Sequence, residues 1–329
     1  MTAPKLSVLI PSYNCARYLP EAIESVLNQD FRDFELLIID DASKDDSRAV
    51  IEKYAAFDSR ISFEFNPANL GAVRNWNRCL ARAQGDYVKL LCCDDVLITA
   101  QSLGKMVTLL QANPTAVLAA SARLVIDEHS RELEVWTALG EGGLKHGAQA
   151  AARCLESNGN LVGEPSAVMF RRANAGRGFN EDYRQLVDLE MWFHLLEQGD
   201  IVYTPDPLCA FRKHALQLTA FNSINHIGVD EPGMLLVEYF PKSWLRGHVA
   251  REALFIQIYL ARKRRRKRGT AKKIEKQLLE TLGWWWYSAL WLRRKITKPG
   301  ADLQKWIKKH ARGKRSSQVS QPRQESKSL

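Results

Sequence analysis

The first 95 residues alternate short apolar runs with longer amphipathic ones, and this alternation constrains the fold more than any other feature. Residues 6–10, 34–39, 61–65 and 87–91 have the length and apolar character of strands. Between them, residues 17–29, 45–55 and 71–83 carry apolar side chains at helical spacing: Leu19, Ile23, Val26 and Leu27, then Val50, Ile51 and Tyr54, then Val73, Trp76 and Leu80. Strands separated by helices of this length predict a parallel sheet with crossover connections, an α/β fold. Ligands of such sheets collect beyond the carboxyl ends of the strands. That rule directs attention to Pro11-Ser-Tyr-Asn14, Asp40-Asp-Ala-Ser43, Asn66-Pro-Ala-Asn-Leu-Gly71 and Cys92-Cys-Asp-Asp95.

From about residue 115 the pattern loosens. Strands are expected at 116–120 and 167–170, a helix at 187–198, and a strand with bends at Pro205 and Pro207 over 202–212. From about 230 the chain becomes helical, basic and Trp-rich. Residues 242–329 hold 25 of the 47 Lys and Arg but 5 of the 37 Asp and Glu, which leaves residues 1–241 net acidic by 10 charges. An acidic body argues against nucleic acid as a partner. The six cysteines form no CxxC pair and match no zinc pattern, which fits a reducing compartment. No signal peptide and no apolar run long enough to span a bilayer is read, so a cytoplasmic location is expected.

Asp40-Asp41 and Asp94-Asp95 each follow a strand and should project at the same sheet edge. Like charges placed together need a positive group between them. A divalent cation or a nucleobase N–H donor would serve, and carboxylates suit Mg2+ or Mn2+ bridged to phosphates. The plainer alternative is helix capping, for which Asp40 to Asp46 is well composed.

Leu6-Ser-Val-Leu-Ile-Pro-Ser-Tyr-Asn14, Ala22-Ile-Glu-Ser-Val-Leu-Asn-Gln29 and Phe34-Glu-Leu-Leu-Ile-Ile-Asp-Asp-Ala-Ser43, with Asn69-Leu-Gly71, Arg74-Asn75 and Gly85 to Asp95, resemble a family 2 glycosyltransferase. The likeness covers roughly the first two-thirds of the chain. It implies a GT-A type, Rossmann-like, mostly parallel sheet flanked by helices, here followed by a basic helical extension. The expected organisation is a catalytic domain over 1–229, a Trp-rich extension over 230–312 and a disordered tail over 313–329.

The resemblance also implies roles. Pro11, Tyr13, Asn14 and Asp41 would hold the nucleotide, with Tyr13 against the base and Asp41 accepting a uracil or thymine N3–H. Asp94 would face the ribose and Asp95 the metal, Mn2+ or Mg2+, although the strict metal motif has an Asp where this chain has Cys93. Arg74 and Lys89 are candidates for phosphate or carboxylate contacts, or else plain ion pairs. An inverting transfer needs one carboxylate to take the acceptor's proton. Asp188 aligns with that base, with Val187 in place of the family's preceding Glu and Glu190 as the alternative. Leu208 to His214 resembles the family's Arg-x-His segment, of which Arg212 or His214 would reach the diphosphate or metal, and Gly163-Glu-Pro-Ser166 would line the sugar or acceptor pocket. Gly140-Glu-Gly-Gly143 lacks the spacing of a phosphate loop.

The basic run 262–268 lies between an amphipathic pattern (Trp244, Val249, Ala253, Ile256, Leu260) and the cluster Trp284-Trp-Trp-Tyr287, Trp291, Leu292, then Arg293-Arg-Lys295. Interfacial Trp and Tyr beside basic residues favour an anionic lipid surface. The extension would then hold the enzyme peripherally on the cytoplasmic face of a membrane, near a saccharide or lipid-linked acceptor. The alternative is a helical subdomain packed on the catalytic domain. The expected donor is a nucleotide-diphospho-sugar, UDP- or dTDP-linked. Competing functions are a silent sugar-nucleotide binder, or a nucleic-acid binder acting through the tail.

Overall fold

The computed structural model describes residues 3–248, 255–256 and 272–297. The expected alternation is realised as β1 (Leu6–Ser12), α1 (Leu19–Leu27), β2 (Phe34–Asp40), α2 (Ser47–Phe57), β3 (Ile61–Phe65), α3 (Ala72–Arg82) and β4 (Tyr87–Leu90). These four strands pair in parallel in the order β3-β2-β1-β4. All seven residues of β1 are buried, as a central strand covered on both faces requires. Pro11 does not stop β1. The strand runs on to Ser12, paired with Asp40, because β4 ends its pairing at Leu90 and needs no N–H from Pro11.

The second half mixes directions. It comprises β5 (Val96–Leu97), α4 (Ser102–Ala112), β6 (Ala116–Ile126), β7 (Glu132–Trp136), β8 (Gly143–Lys145), α5 (Gly147–Ser157), β9 (Val168–Arg171), α6 (Val187–Leu196) and β10 (Asp200–Arg212). The sheet continues β4-β9-β6-β10-β5, with β9 antiparallel to both neighbours and β10 parallel to β6. β10 carries register shifts around Pro207, so the two prolines bend the strand without ending it.

Helices α1, α2 and α4 bury their apolar faces on one side of the sheet. On the other side lie α3, α5 and α6, joined in one core by all but the first of the five helices that follow. These are α7 (Leu218–Asn225), α8 (Glu231–Tyr239), α9 (Ser243–Arg246), α10 (Lys272–Leu282) and α11 (Trp284–Thr297). Leu235, Leu236 and Tyr239 of α8, Leu278, Leu279 and Leu282 of α10, and Tyr287 of α11 share one core with Trp192 and Phe193 of α6. Among the described residues, the helices after 230 thus pack on the same side of the sheet as α6. Trp284 and Trp285 stay exposed, the latter at 90%. The basic run 262–268, Val249, Ala253, Leu260 and the tail 313–329 lie outside the described residues.

Candidate active site

The strand-end segments meet at one edge of the sheet. Backbone and side chains stitch the β1 and β2 loops together. The Asn14 N–H donates to Ser43 Oγ, and Asn14 Oδ1 accepts from the Lys44 N–H, both at 2.8 Å. Asp45 accepts from the Ala16 N–H at 2.9 Å. Asn14 and Ala42 both adopt left-handed backbone (φ 48° and 59°) to make these turns. Tyr13 projects outward, 48% exposed, beside them. Asp40 accepts from Ser43, its own turn. Asp41 is buried and accepts from Asn66 Nδ2 at 2.7 Å and from the N–H groups of Leu70 and Gly71 at 2.8 and 2.9 Å. Gly71 reaches this carboxylate with φ +87°, a conformation that disfavours any other residue. A carboxylate has about four acceptor positions, so Asp41 keeps room for one more donor. Ser12 Oγ and Asn66 Oδ1, at the same edge, are buried and have no hydrogen-bond partner among the described residues.

Asp94 and Asp95 separate in role. Asp95 is 1% exposed, accepting from Ser166 Oγ at 2.5 Å and from the Arg212 N–H at 2.9 Å. Burial first, then the charge of Asp94, holds its carboxyl well above the usual range. Asp94 instead meets His214, Nε2 to Oδ2 at 2.9 Å. Cys92 Sγ, Asp94 and Asp95 each offer an atom within 4.8 Å of the others. Thus Cys92, not Cys93, contributes the thiol to this acidic cluster. Two adjacent carboxylates, with an imidazole nitrogen beside Asp94, form a donor set that fits a divalent cation.

The base side is built from segments that are distant in sequence. Asp188 lies in the first turn of α6, where the helix dipole favours a carboxylate. Its Oδ2 accepts from Asn160 Nδ2 at 2.8 Å and its Oδ1 from the Leu189 N–H at 2.8 Å. Desolvation, with the charge of Glu164 second, pushes its carboxyl up to about 7. Glu164 is held by Arg123, Nε to Oε2 at 2.6 Å. Gly163, at φ +125°, closes the turn that presents Glu164, and a Cβ there would come within 2.9 Å of the Ala167 Cβ. Asn160 Nδ2 and Trp192 Nε1 both donate to the Gly163 carbonyl, at 2.9 and 2.8 Å.

Two connected cavities follow. An inner one of about 150 Å3 is lined by Cys92, Asp94, Asp95, Glu164 and Asp188, among others. An outer one of about 660 Å3 shares Glu164 and Asp188 and opens between Trp136, Phe211, Lys213, His214 and the α7 residues Thr219, Ala220 and Ser223. Trp136 forms an aromatic wall there, 5.7 Å from the Phe211 ring, with Lys213 Nζ 4.5 Å from its centroid.

Several of the expected residues have other partners in this geometry. Arg212 is 1% exposed; its guanidinium donates to the Asp94 carbonyl, Ser130 and Glu21 and stacks over Tyr18, so it clamps loops together. Lys89 is fully buried in β4 and donates to the carbonyls of Ser166 and Val168; burial lowers it to about 8. Glu190 points away from the cleft into a bidentate pair with Arg177, at 2.7 Å for both bonds, and accepts from Tyr239. Arg74 is exposed and paired with Glu181 at 2.8 Å, the plain ion-pair alternative. Asn160 lies in no motif legible in the sequence, and Cys92 and Ser166 stand out there only as members of longer segments. Gly163 to Ser166 carries the one local signal, a Gly-Glu-Pro turn between α5 and β9.

Known proteins share this fold. The glycosyl transferase family 2 pattern matches residues 7–176. A provisionally assigned glycosyltransferase, EpsE, of Bacillus subtilis is 31% identical over 200 residues, 60% of this chain and 69% of its own. The GalNAc(5)-diNAcBac-PP-undecaprenol beta-1,3-glucosyltransferase of Campylobacter jejuni is 38% identical over 109 residues, 33% of this chain and 34% of its own. S. aureus TarS 1-349, solved with UDP-GlcNAc, superposes with a TM-score of 0.57 at 17% identity, covering 88% of this chain and 92% of that one. The mannosyltransferase PcManGT of Pyrobaculum calidifontis, solved with GDP-Man and Mn2+, gives 0.55 at 16% identity, covering 94% and 85%.

Proposed function

The chain belongs to glycosyl transferase family 2, and we propose that it is an inverting enzyme that transfers a sugar from a UDP- or dTDP-linked donor to the hydroxyl of a lipid-linked saccharide. The observation that carries this reading is Asp188, a carboxyl pushed up to about 7 and lining both cavities. A base with that affinity is matched to proton transfer near neutral pH. The nucleotide would occupy the edge formed by Pro11, Tyr13, Asn14 and Asp41, and the sugar the inner cavity. The acceptor would enter the outer cavity against Trp136. Asp188 then takes the proton of the acceptor hydroxyl as its oxygen bonds to the anomeric carbon and the bond to the diphosphate breaks.

Asp94 and His214 would hold a Mn2+ or Mg2+ ion, with Cys92 and Asp95 behind them. Asp95, expected from the sequence to hold the metal, is 1% exposed and accepts from Ser166 and Arg212, whereas the Asp94 side chain is 20% exposed, so Asp94 is placed nearer the ion. The cation supplies positive charge against the departing diphosphate. The test begins with thermal shift against UDP-, dTDP- and GDP-sugars with Mn2+. The donor that stabilises the protein then serves in a diphosphate-release assay. Asp188→Asn should lower release about 10^3-fold and keep the donor shift. Full activity in Asp188→Asn would overturn the base assignment.

A membrane-bound acceptor is supported by two exposed apolar groups. Leu216 (88% exposed), Leu218, Phe221 and Ile224 lie on or beside α7, which lines the outer cavity with its other face. Trp284 and Trp285 open α11. No helix among the described residues is long and apolar enough to cross a bilayer; the contact we propose is a peripheral one made by these exposed groups. Full-length protein should float with phosphatidylglycerol vesicles and lose flotation in Phe221→Ser/Ile224→Ser/Trp284→Ser/Trp285→Ser. Equal flotation of the two would reject the membrane contact.

A further inference from the structure

We infer that Glu231, the first residue of α8, is a positioning residue for Asp188, so that the segment after 230 forms part of the catalytic apparatus. The inference rests on the assignment of Asp188 as base. Glu231 is buried, and its carboxylate accepts from three consecutive backbone N–H groups: Arg184 at 2.8 Å, Gln185 at 2.9 Å and Leu186 at 2.7 Å. Leu186 is the cap residue of α6, two positions before Asp188. The opposite side of the same segment is held by Asn222 of α7, whose Nδ2 donates to the Arg184 carbonyl at 3.1 Å. Gly228 lets the α7–α8 turn come this close, since a Cβ there would meet the Gln185 Cβ at 2.4 Å and Glu231 Oε1 at 2.8 Å.

A second grip lies just beyond the base. Tyr239, at the other end of α8, donates to Glu190 Oε1 at 2.6 Å. Tyr183 donates to Glu238 Oε2 at 3.0 Å. Residues 183–186 before Asp188 and Glu190 after it are thus fixed to one helix of the extension. Hydrogen bonds to a charged acceptor are stronger than neutral ones, and three of them converge on a stretch with no regular structure of its own. Gln185 and Leu186 also line the outer cavity. A base must lie within hydrogen-bond reach of the proton it removes, and a misplacement of about 1 Å can cost about 10^2-fold in rate. The donor edge at Tyr13, Asp41 and Asp94 shares none of these bonds.

The experiment compares full-length wild type with Glu231→Ala, Glu231→Gln and Asp188→Asn, at a temperature where circular dichroism shows each folded. Diphosphate release is measured with Mn2+ and UDP-N-acetylglucosamine, or with whichever of the UDP-, dTDP- and GDP-sugars gives the larger thermal shift. Glu231→Ala should lower kcat about 10- to 100-fold with the donor KM within about three-fold. Glu231→Gln, which keeps one acceptor oxygen, should fall between Ala and wild type. A kcat within three-fold of wild type would overturn the inference, as would a parallel loss of donor affinity, which marks a role in general folding. If Glu231→Ala does not fold, Glu231→Gln and Asn222→Ala decide by the same criteria. A silent Asp188→Asn would instead remove the base reading itself, whatever Glu231 does.

Discussion

The two walls of the cleft are made in opposite ways. The donor wall comes from consecutive strand ends within residues 11–95, set by a parallel sheet whose register places them side by side. The base wall is gathered from the 160–166 turn, the start of α6, the α7 region and α8, and is held by side chains that bond across tens of residues. A regular sheet brings strand ends together by its register, and bonds such as those to Asp41 then fix the loops upon it. An irregular wall must fix its groups with buried polar bonds, and each such bond becomes costly to remove.

The largest test of this contrast is at the point where the walls meet. Asp94→Ala should lower diphosphate release about 10^2- to 10^3-fold and abolish the extra stabilisation that Mn2+ gives in the presence of UDP. His214→Ala should show the same loss of Mn2+ linkage with a smaller fall in rate. If Asp95→Ala abolished the Mn2+ effect while Asp94→Ala kept it, the metal would belong to the buried carboxylate. A smaller effect, on stability, separates two arginines that look alike in sequence. Arg212→Ala removes a donor from Glu21, Ser130 and the Asp94 carbonyl, leaving Glu21 with the Ser130 hydroxyl, and should cost about 3 kcal/mol in chemical denaturation. Arg74→Ala, at an exposed pair, should leave the denaturation midpoint and the donor affinity within error. Equal losses in the two would contradict the division between clamp and surface.

These same residues show how far the sequence can be read. The strand-end motifs are legible because a parallel sheet converts order along the chain into order in space. Lys89 and Arg212 are misread when charge is weighed without position. Lys89 sits inside Tyr87–Leu90, a strand buried along its length, and a lysine there has nowhere to go but the interior. Glu190 shares the first turn of α6 with Asp188, so sequence alone makes the two look equivalent. What turns Glu190 away from the cleft is Arg177 and Tyr239, which no local pattern links to it. Asn160 and Glu231 are invisible for the same reason, and Glu164 shows only as part of its Gly-Glu-Pro turn. Each acts through a partner set by tertiary packing, and each occupies a turn or helix start where acidic and amide residues are common anyway.

The smallest expected effect concerns the affinity of Asp188 for its proton. Its carboxyl is pushed up to about 7, and a base works only when ionised. Diphosphate release should therefore rise about tenfold per pH unit below 7 and level off above it. Glu164 contributes to the elevation. In Glu164→Gln the negative charge is gone and Arg123 is left facing the site, and both changes favour the ionised form of Asp188. The rising limb should move to lower pH by less than about one unit. Stability carries the matching sign. The unfolded chain ionises Asp188 near 3.8, the folded one near 7, so between these values the folded state holds the extra proton and stability falls as pH rises. Asp188→Asn should remove that slope. A limb that stayed in place in Glu164→Gln would assign the elevation to desolvation alone, and a limb that moved to higher pH would mean that Glu164 does not act on Asp188 as a charge.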